Sequence, residues 1–262
     1  MHPALYRAQQ FARYLWRAKT RHGVHSPFVY ELIDKVIYDR TEHPAYDKVR
    51  AYRSELERDE SVVQITDLGA GSLIDPHKSR TVSQLALGSA KQPRYGELLY
   101  RLVAHFKPTN MVELGTSLGV SALYQALGNE TGKLTTIEGC PNTAAKATEY
   151  LHRARSYNII QRTGSFDDVL PGILNELGTI DWAFVDGNHR SEPTLRYFEW
   201  FLAHAHPDTI LVFDDIYWTP DMTRAWEVIK AHPKVSVTID LFQIGVVSMR
   251  TGQAKEHFIV RY

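Results

Sequence analysis

From residue 110 to 213 the chain alternates short apolar runs with helix-length amphipathic segments, a pattern that few folds can satisfy. The runs lie at 111–114, 134–137, 159–161, 180–185 and 209–213. Segments with helical periodicity fill the gaps at 118–128, 142–155, 166–177 and 192–205. Short apolar strands are expected to be buried on both faces, and a helix-length connection is what a parallel crossover needs. The pattern predicts a doubly wound α/β sheet with helices on both sides. Two further runs, 235–239 and 242–249, are separated by only two residues. No parallel crossover fits that gap, so they are expected to pair antiparallel as a C-terminal hairpin. Seven strands are expected in all.

The first 90 residues have a different pattern. Periodic segments at 4–19, 27–38, 44–59 and 81–87 predict helices, and 62–66 a short strand. Ser26-Pro27 opens the second helix: serine caps exposed N–H groups and proline suits the first helical position. In the first helix Leu5, Ala8, Ala12 and Leu15 share one face, and the helix is expected to be packed. Another helix is expected at 93–106, with Leu98, Leu99, Leu102, Val103 and Phe106 on its apolar face. The expected organisation is an α-helical N-terminal extension over 1–90 (cap, dimerisation or substrate side) and a main domain over 91–262.

Composition removes several classes of function. Lysine plus arginine balances aspartate plus glutamate at 30 each. Such a chain has no global field for a polyanion, so nucleic acid is not expected as a partner. The first acid is Glu31, and Arg7, Arg13, Arg17 and Arg21 precede it. The aromatic residues Tyr6, Phe11, Tyr14 and Trp16 and the lack of a small-residue cleavage site argue for a packed basic helix over a transit peptide. One cysteine, Cys140, excludes an internal disulfide and fits a reducing compartment. No apolar run approaches the roughly 18 residues of a membrane span. A cytoplasmic protein with no membrane partner is expected.

A glycine turn and an acid carry the ligand prediction. Glu113-Leu-Gly115-Thr116-Ser117-Leu-Gly119 joins the first strand of the alternation to its helix, and glycine there lets a ligand approach the backbone. Glu138 stands 23 residues after Gly115, at the end of the next strand. That spacing places an acid beside a ribose, as both NAD and S-adenosylmethionine (SAM) sites require. A dinucleotide site wants G-x-G-x-x-G, but Ser117 and Val120 stand at the second and third positions. Glu113 would also repel a diphosphate while suiting the cationic ammonium of methionine. An NAD(P)-dependent oxidoreductase is therefore the weaker alternative. A second glycine turn, Asp67-Leu-Gly-Ala-Gly71, lacks a following strand with a terminal acid; with Pro76, His77, Lys78 and Arg80 it reads as a loop near the site or an ordinary surface turn.

The run from Glu113 to Gly119, Glu138, Gly164-Ser-Phe-Asp-Asp168, Phe184-Val-Asp-Gly-Asn-His189 and Phe213-Asp-Asp215 resembles the class I SAM-dependent O-methyltransferases. The likeness is to bacterial members with a catechol- or caffeoyl-CoA-type layout and spans roughly 92–250. It implies a Rossmann-like, mostly parallel seven-stranded sheet finished by the C-terminal hairpin. It also implies that Glu113, Gly115, Thr116 and Ser117 hold the methionine end of SAM and Glu138 the ribose. Gly164, Ser165 and Phe166 would border the adenine, and Asp186 would lie near the transferred methyl.

Methyl transfer from a sulfonium is an in-line displacement that needs an aligned, nucleophilic acceptor. A hydroxyl is activated by a base or a metal. Asp186, Asp214 and Asp215 follow two strands of the expected sheet and are hard oxygen donors suited to Mg²⁺. The catechol-type enzymes carry an amide where Asp215 stands. They carry a lysine base where this chain has His189, whose residue type also serves as a base at neutral pH. His189 and Asp186 are the catalytic candidates. Asn188, Arg190, Tyr217 and Trp218 are candidates to line the pocket of a small-molecule acceptor. The aromatic N-terminal helices are candidates for a homodimer contact, and a non-catalytic SAM-binding protein is the alternative outside enzymes.

Overall fold

A computed structural model of the chain describes residues 3–66 and 79–262. It opens with α1 (Pro3–Arg17), α2 (Pro27–Leu32), a π-helical turn (Ile33–Ile37) and α3 (Pro44–Leu56). β1 (Val62–Gln64) pairs antiparallel with β2 (Ser79–Thr81), and α4 (Val82–Ser89) and α5 (Pro93–Phe106) follow. The alternation then runs β3 (Asn110–Leu114), α6 (Val120–Gly128), β4 (Lys133–Glu138), α7 (Pro141–Arg153), β5 (Ile159–Thr163), α8 (Phe166–Leu177), β6 (Ile180–Val185), α9 (Ser191–Ala203) and β7 (Ala205–Asp214). It ends with α10 (Pro220–Ala231), β8 (Val237–Asp240), β9 (Ile244–Ser248) and β10 (Glu256–Ile259). The large, mostly parallel sheet holds eight of these strands. The chain divides into two compact units: Arg40–Leu177, and Met1–Asp39 with Gly178–Tyr262.

In the unit Arg40–Leu177, β3, β4 and β5 lie parallel, with Met111 opposite Leu134 and Leu134 opposite Ile159. One core of this unit gathers Tyr46, Tyr52 and Leu56 of α3 with Leu118, Leu123 and Tyr150. α5 packs on α6 closely because Gly96 has no side chain. A Cβ at that position would stand 2.2 Å from Cε2 of Tyr124. Gly96→Val is expected to lower unfolding free energy by about 1–3 kcal/mol through overpacking, read by denaturant titration.

In the other unit, β6 and β7 are parallel and β9 runs antiparallel to both β7 and β8. The expected C-terminal hairpin is β8–β9, with Thr238 opposite Val247. Trp182, Phe184, Phe198, Phe213 and Trp226 fill the core. β10 is a strand beyond the expected seven and pairs parallel with β8. Glu256 and His257 are exposed in it, so it carries no apolar run to reveal it. β7 begins at Ala205, inside the helix expected to reach 205, because His206 precedes Pro207 and the residue before proline avoids helical angles.

α1 turns its polar-tipped aromatic side inward. Tyr14 Oη donates to Val260 O at 2.6 Å, and Tyr6 Oη donates to Thr223 Oγ1 at 2.7 Å. The apolar face of Leu5, Ala8, Ala12 and Leu15 points instead to solvent, a departure from the packed face expected of it. No helix among the described residues is long and apolar enough to cross a membrane.

Candidate functional site

The glycine turn is built at the carboxyl end of β3. Gly115 (φ 99°) and Thr116 donate their N–H groups to Ile137 O at 3.0 and 3.2 Å, stitching the turn to the end of β4. Ser117 adopts φ 47° and Gly119 φ 79°, left-handed angles that suit glycine at the second position. A Cβ on Gly119 would also approach Leu151 to 3.0 Å. Beneath the turn runs a polar relay. Thr136 Oγ1 donates to Glu113 Oε2 at 2.6 Å, and Gln125 Nε2 donates to Glu113 Oε1 at 2.7 Å. Having spent its proton, Thr136 accepts from Thr116 Oγ1 at 2.6 Å.

Glu113 is the centre of that relay. Its side chain is fully buried, and its carboxylate accepts from Thr136 and Gln125, which tie it to the underside of the turn. Thr136 and Gln125 were not foreseen. Their only signal in the sequence is polarity inside otherwise apolar elements, since buried polar groups need partners.

Glu138 holds two loops at once. Its Oε2 accepts from Ser117 N at 2.8 Å and its Oε1 from Cys140 N at 2.9 Å. Burial holds its carboxyl above the ordinary glutamate value, while the N–H groups of Cys140, Ser117 and Gly139 pull the other way. Its carbonyl accepts from Gly164 N at 3.0 Å, drawing in the turn after β5. Gly164 adopts φ 146°, and Ser165 Oγ accepts from Asp168 N at 3.2 Å, capping α8 where Phe166 begins. Gly115, Thr116, Ser117, Glu138, Gly164, Ser165 and Phe166 thus come together at the carboxyl ends of β3, β4 and β5.

Cys140 is also engaged. Thr66 N donates to its Sγ at 3.3 Å, and Asn142 Nδ2 donates to Gln64 O at 2.9 Å. The end of β1 is therefore anchored at the start of α7, a contact with no signal in the sequence. The Asp67–Gly71 turn, Pro76, His77 and Lys78 lie outside the described residues.

At the carboxyl ends of β6 and β7 stands the second group. His189 Nε2 lies 3.8 Å from Asp186 Oδ1 and 3.9 Å from Asp215 Oδ2. The three side chains are partly buried, His189 at 29% exposure being the most open. Asp215 takes the left-handed region (φ 53°), which aspartate tolerates, and its carbonyl accepts from Trp218 N at 2.9 Å. Asp214 is buried at the end of β7. Asn188 Nδ2 donates to Tyr197 Oη at 3.3 Å, and Arg190 Nε donates to Asn188 Oδ1, so these two also shape the loop before α9. Tyr217 donates to buried Asp240, and Arg7 stacks over Trp218 at 4.2 Å. Among the described residues, no three or more His, Cys, Asp or Glu side chains are grouped to hold a metal ion.

Asp221 fixes that loop from below. Its carboxylate accepts from Ser191 N at 2.6 Å and Ser191 Oγ at 2.9 Å, tying the start of α9 to α10. The Ser191 N–H is the main reason its carboxyl lies below the ordinary aspartate value. A lowered pKa adds stability above the unfolded value and loses it as pH falls through the folded one. Asp221→Ala is expected to cost about 1 kcal/mol near neutrality. The deficit should vanish on acidification below the ordinary aspartate range, followed by denaturant titration across pH.

Residues 112–216 match the family of methyltransferase domains. Among characterised proteins, a catechol O-methyltransferase of Niastella koreensis is 34% identical over 127 residues. That match takes in 47% of this chain and 57% of the relative, so the chain spans little more than half of its length. The fold is shared with solved O-methyltransferases. One from Bacillus cereus, in complex with S-adenosylhomocysteine (SAH), has a TM-score of 0.56 at 22% identity over 80% of this chain and 93% of its own. TomG of Streptomyces achromogenes, involved in tomaymycin synthesis and solved with SAM, gives 0.56 at 22% over 80% and 91%.

Proposed function

We propose that this chain is a SAM-dependent O-methyltransferase acting on a hydroxyl of a small molecule. One observation carries the proposal: the Glu138 carboxylate. It is a largely buried acid at the end of β4 whose two oxygens each take one backbone N–H. Each oxygen keeps acceptor capacity, which suits the two hydroxyls of a ribose. Ser117, at a position where a dinucleotide site needs glycine, favours a ligand without a diphosphate. The Niastella relative and the SAM- and SAH-bound neighbours support the same reading. Gly115, Thr116 and Ser117 would hold the methionine end, and Gly164, Ser165 and Phe166 would border the adenine.

Bound there, SAM supplies an electrophilic methyl on its sulfonium sulfur. An acceptor oxygen would take that methyl in line, leaving the thioether, and His189 Nε2 would accept the hydroxyl proton. Asp186 and Asp215, each within 4 Å of that nitrogen, stabilise the imidazolium that forms. The Mg²⁺ route would need Asp186, Asp214 and Asp215 to converge. Among the described residues no three acid, histidine or cysteine side chains are grouped to hold the ion, and His189 remains the base candidate beside Asp186 and Asp215.

Calorimetric titration with SAH, in EDTA and in Mg²⁺, tests the cofactor. Micromolar affinity equal in both is expected, followed by methylation of catechol-type hydroxyls from labelled SAM. No affinity in either buffer would remove the methyltransferase reading.

A further inference from the structure

The apolar stripe of α1 is open to solvent among the described residues. Trp16 is 87% exposed, Leu5 62% and Leu15 38%, and Ala8 and Ala12 lie open between them. Solvent-facing apolar stripes of this kind mark an interaction surface. The stripe is held outward by the opposite side of the same helix. Tyr6 bonds Thr223, Tyr14 bonds Val260, and the ring of Phe11 meets Phe242 at 4.9 Å.

Charge decides what covers it. The first thirty residues contain no acid. Arg13 stands at the edge of the stripe, is exposed and joins no ion pair among the described residues. Acids of the same unit have partners of their own. Asp34 pairs with Arg21, Asp221 caps α9, and Asp240 is buried against Tyr217. A homodimer through the N-terminal helices, as expected from the sequence, would set α1 against its own copy. A two-fold contact of that kind brings arginines together with no acid on the helix to pair them.

We propose that α1 lies on an anionic phospholipid bilayer, Trp16, Leu5 and Leu15 dipping below the headgroups and Arg13 meeting lipid phosphate. A basic amphipathic helix with tryptophan and leucine on one face is suited to that plane and needs no membrane-spanning length. The lack of a span, which argued against a membrane partner at the level of sequence, therefore does not bear on it. The proposal stands apart from the methyltransferase reading.

The test is vesicle sedimentation of the whole chain. Vesicles of phosphatidylcholine with phosphatidylglycerol are expected to carry the protein down at low salt, and phosphatidylcholine alone at least tenfold less. High salt should release it. Trp16→Ser should weaken binding about tenfold while circular dichroism stays unchanged, because the ring is almost fully exposed. Arg13→Gln should weaken it too. Val228→Ser, which removes an exposed apolar side chain of α10, should not. Equal binding to both vesicles, binding to neither, or indifference to Trp16→Ser would overturn the proposal. So would a dimer in analytical ultracentrifugation that Trp16→Ser splits, which would assign the stripe to a second copy.

Discussion

His189→Ala is expected to lower kcat by about two to four orders of magnitude while leaving SAH affinity within twofold, since removal of a general base costs that range. The imidazole stands within 4 Å of two carboxylates at the ends of β6 and β7, so its loss removes the proton acceptor beside Asp186 and Asp215. The ring is partly buried, so losing its packing should loosen the loop before α9 as well. His189→Gln separates the two effects. It refills most of the ring's volume without the ability to take the proton, so stability should recover while turnover stays low. Single-turnover transfer from labelled SAM reads the chemistry, and calorimetry with SAH reads the cofactor. An unchanged rate in His189→Ala, with SAH still bound, would point to a SAM-binding protein whose catalysis, if any, uses other groups.

The sheet and the placement of its loops were legible because they rest on patterns that survive averaging along the chain. Five apolar runs with helix-length gaps leave little choice but a parallel sheet, and a two-residue gap leaves little choice but a hairpin. β10 and β2 escaped because polar edge strands bury too little to need an apolar run. At the site, the positions of Glu138, Gly164, Asp186 and His189 followed from strand ends, which the alternation fixes to within a residue or two. The hydrogen-bond partners of Glu113 did not follow. Its type and place beside the turn suited a cation, but whether a carboxylate at the end of a strand faces ligand or interior depends on what stands opposite. Thr136 and Gln125 come from other elements, and only the three-dimensional register of β3 with β4, and of α6 above them, brings them to it. The same holds for α1. Periodicity found its apolar face correctly and could not say which way that face would turn. Two tyrosine hydroxyls with partners on Val260 and Thr223, more than 200 residues away, decided it.

Glu138→Ala should weaken SAH binding at least tenfold, and more than the ribose contacts alone would account for. Hydrogen bonds to a charged acceptor contribute about 1.5–3 kcal/mol each. The carboxylate makes two of them in the protein itself, to Ser117 N and Cys140 N. Alanine therefore removes the ribose acceptor and also releases the loops after β3 and β4 that carry Ser117 and Cys140. Glu138→Gln distinguishes the two contributions. Its amide keeps one acceptor oxygen, but the –NH₂ opposes one of the backbone N–H donors, so binding should be intermediate and stability nearer to wild type. The pH dependence supplies an independent reading. Burial raises the Glu138 carboxyl above the ordinary glutamate value. Ribose hydroxyls donate to the ionised form, so SAH affinity should fall as pH drops, beginning above the range where an exposed glutamate protonates. In Glu138→Gln that acid limb should disappear. If it persists, another group governs it and the ribose contact lies elsewhere. If it disappears while turnover with His189 intact still falls in acid, the cofactor and base limbs have been assigned to separate residues.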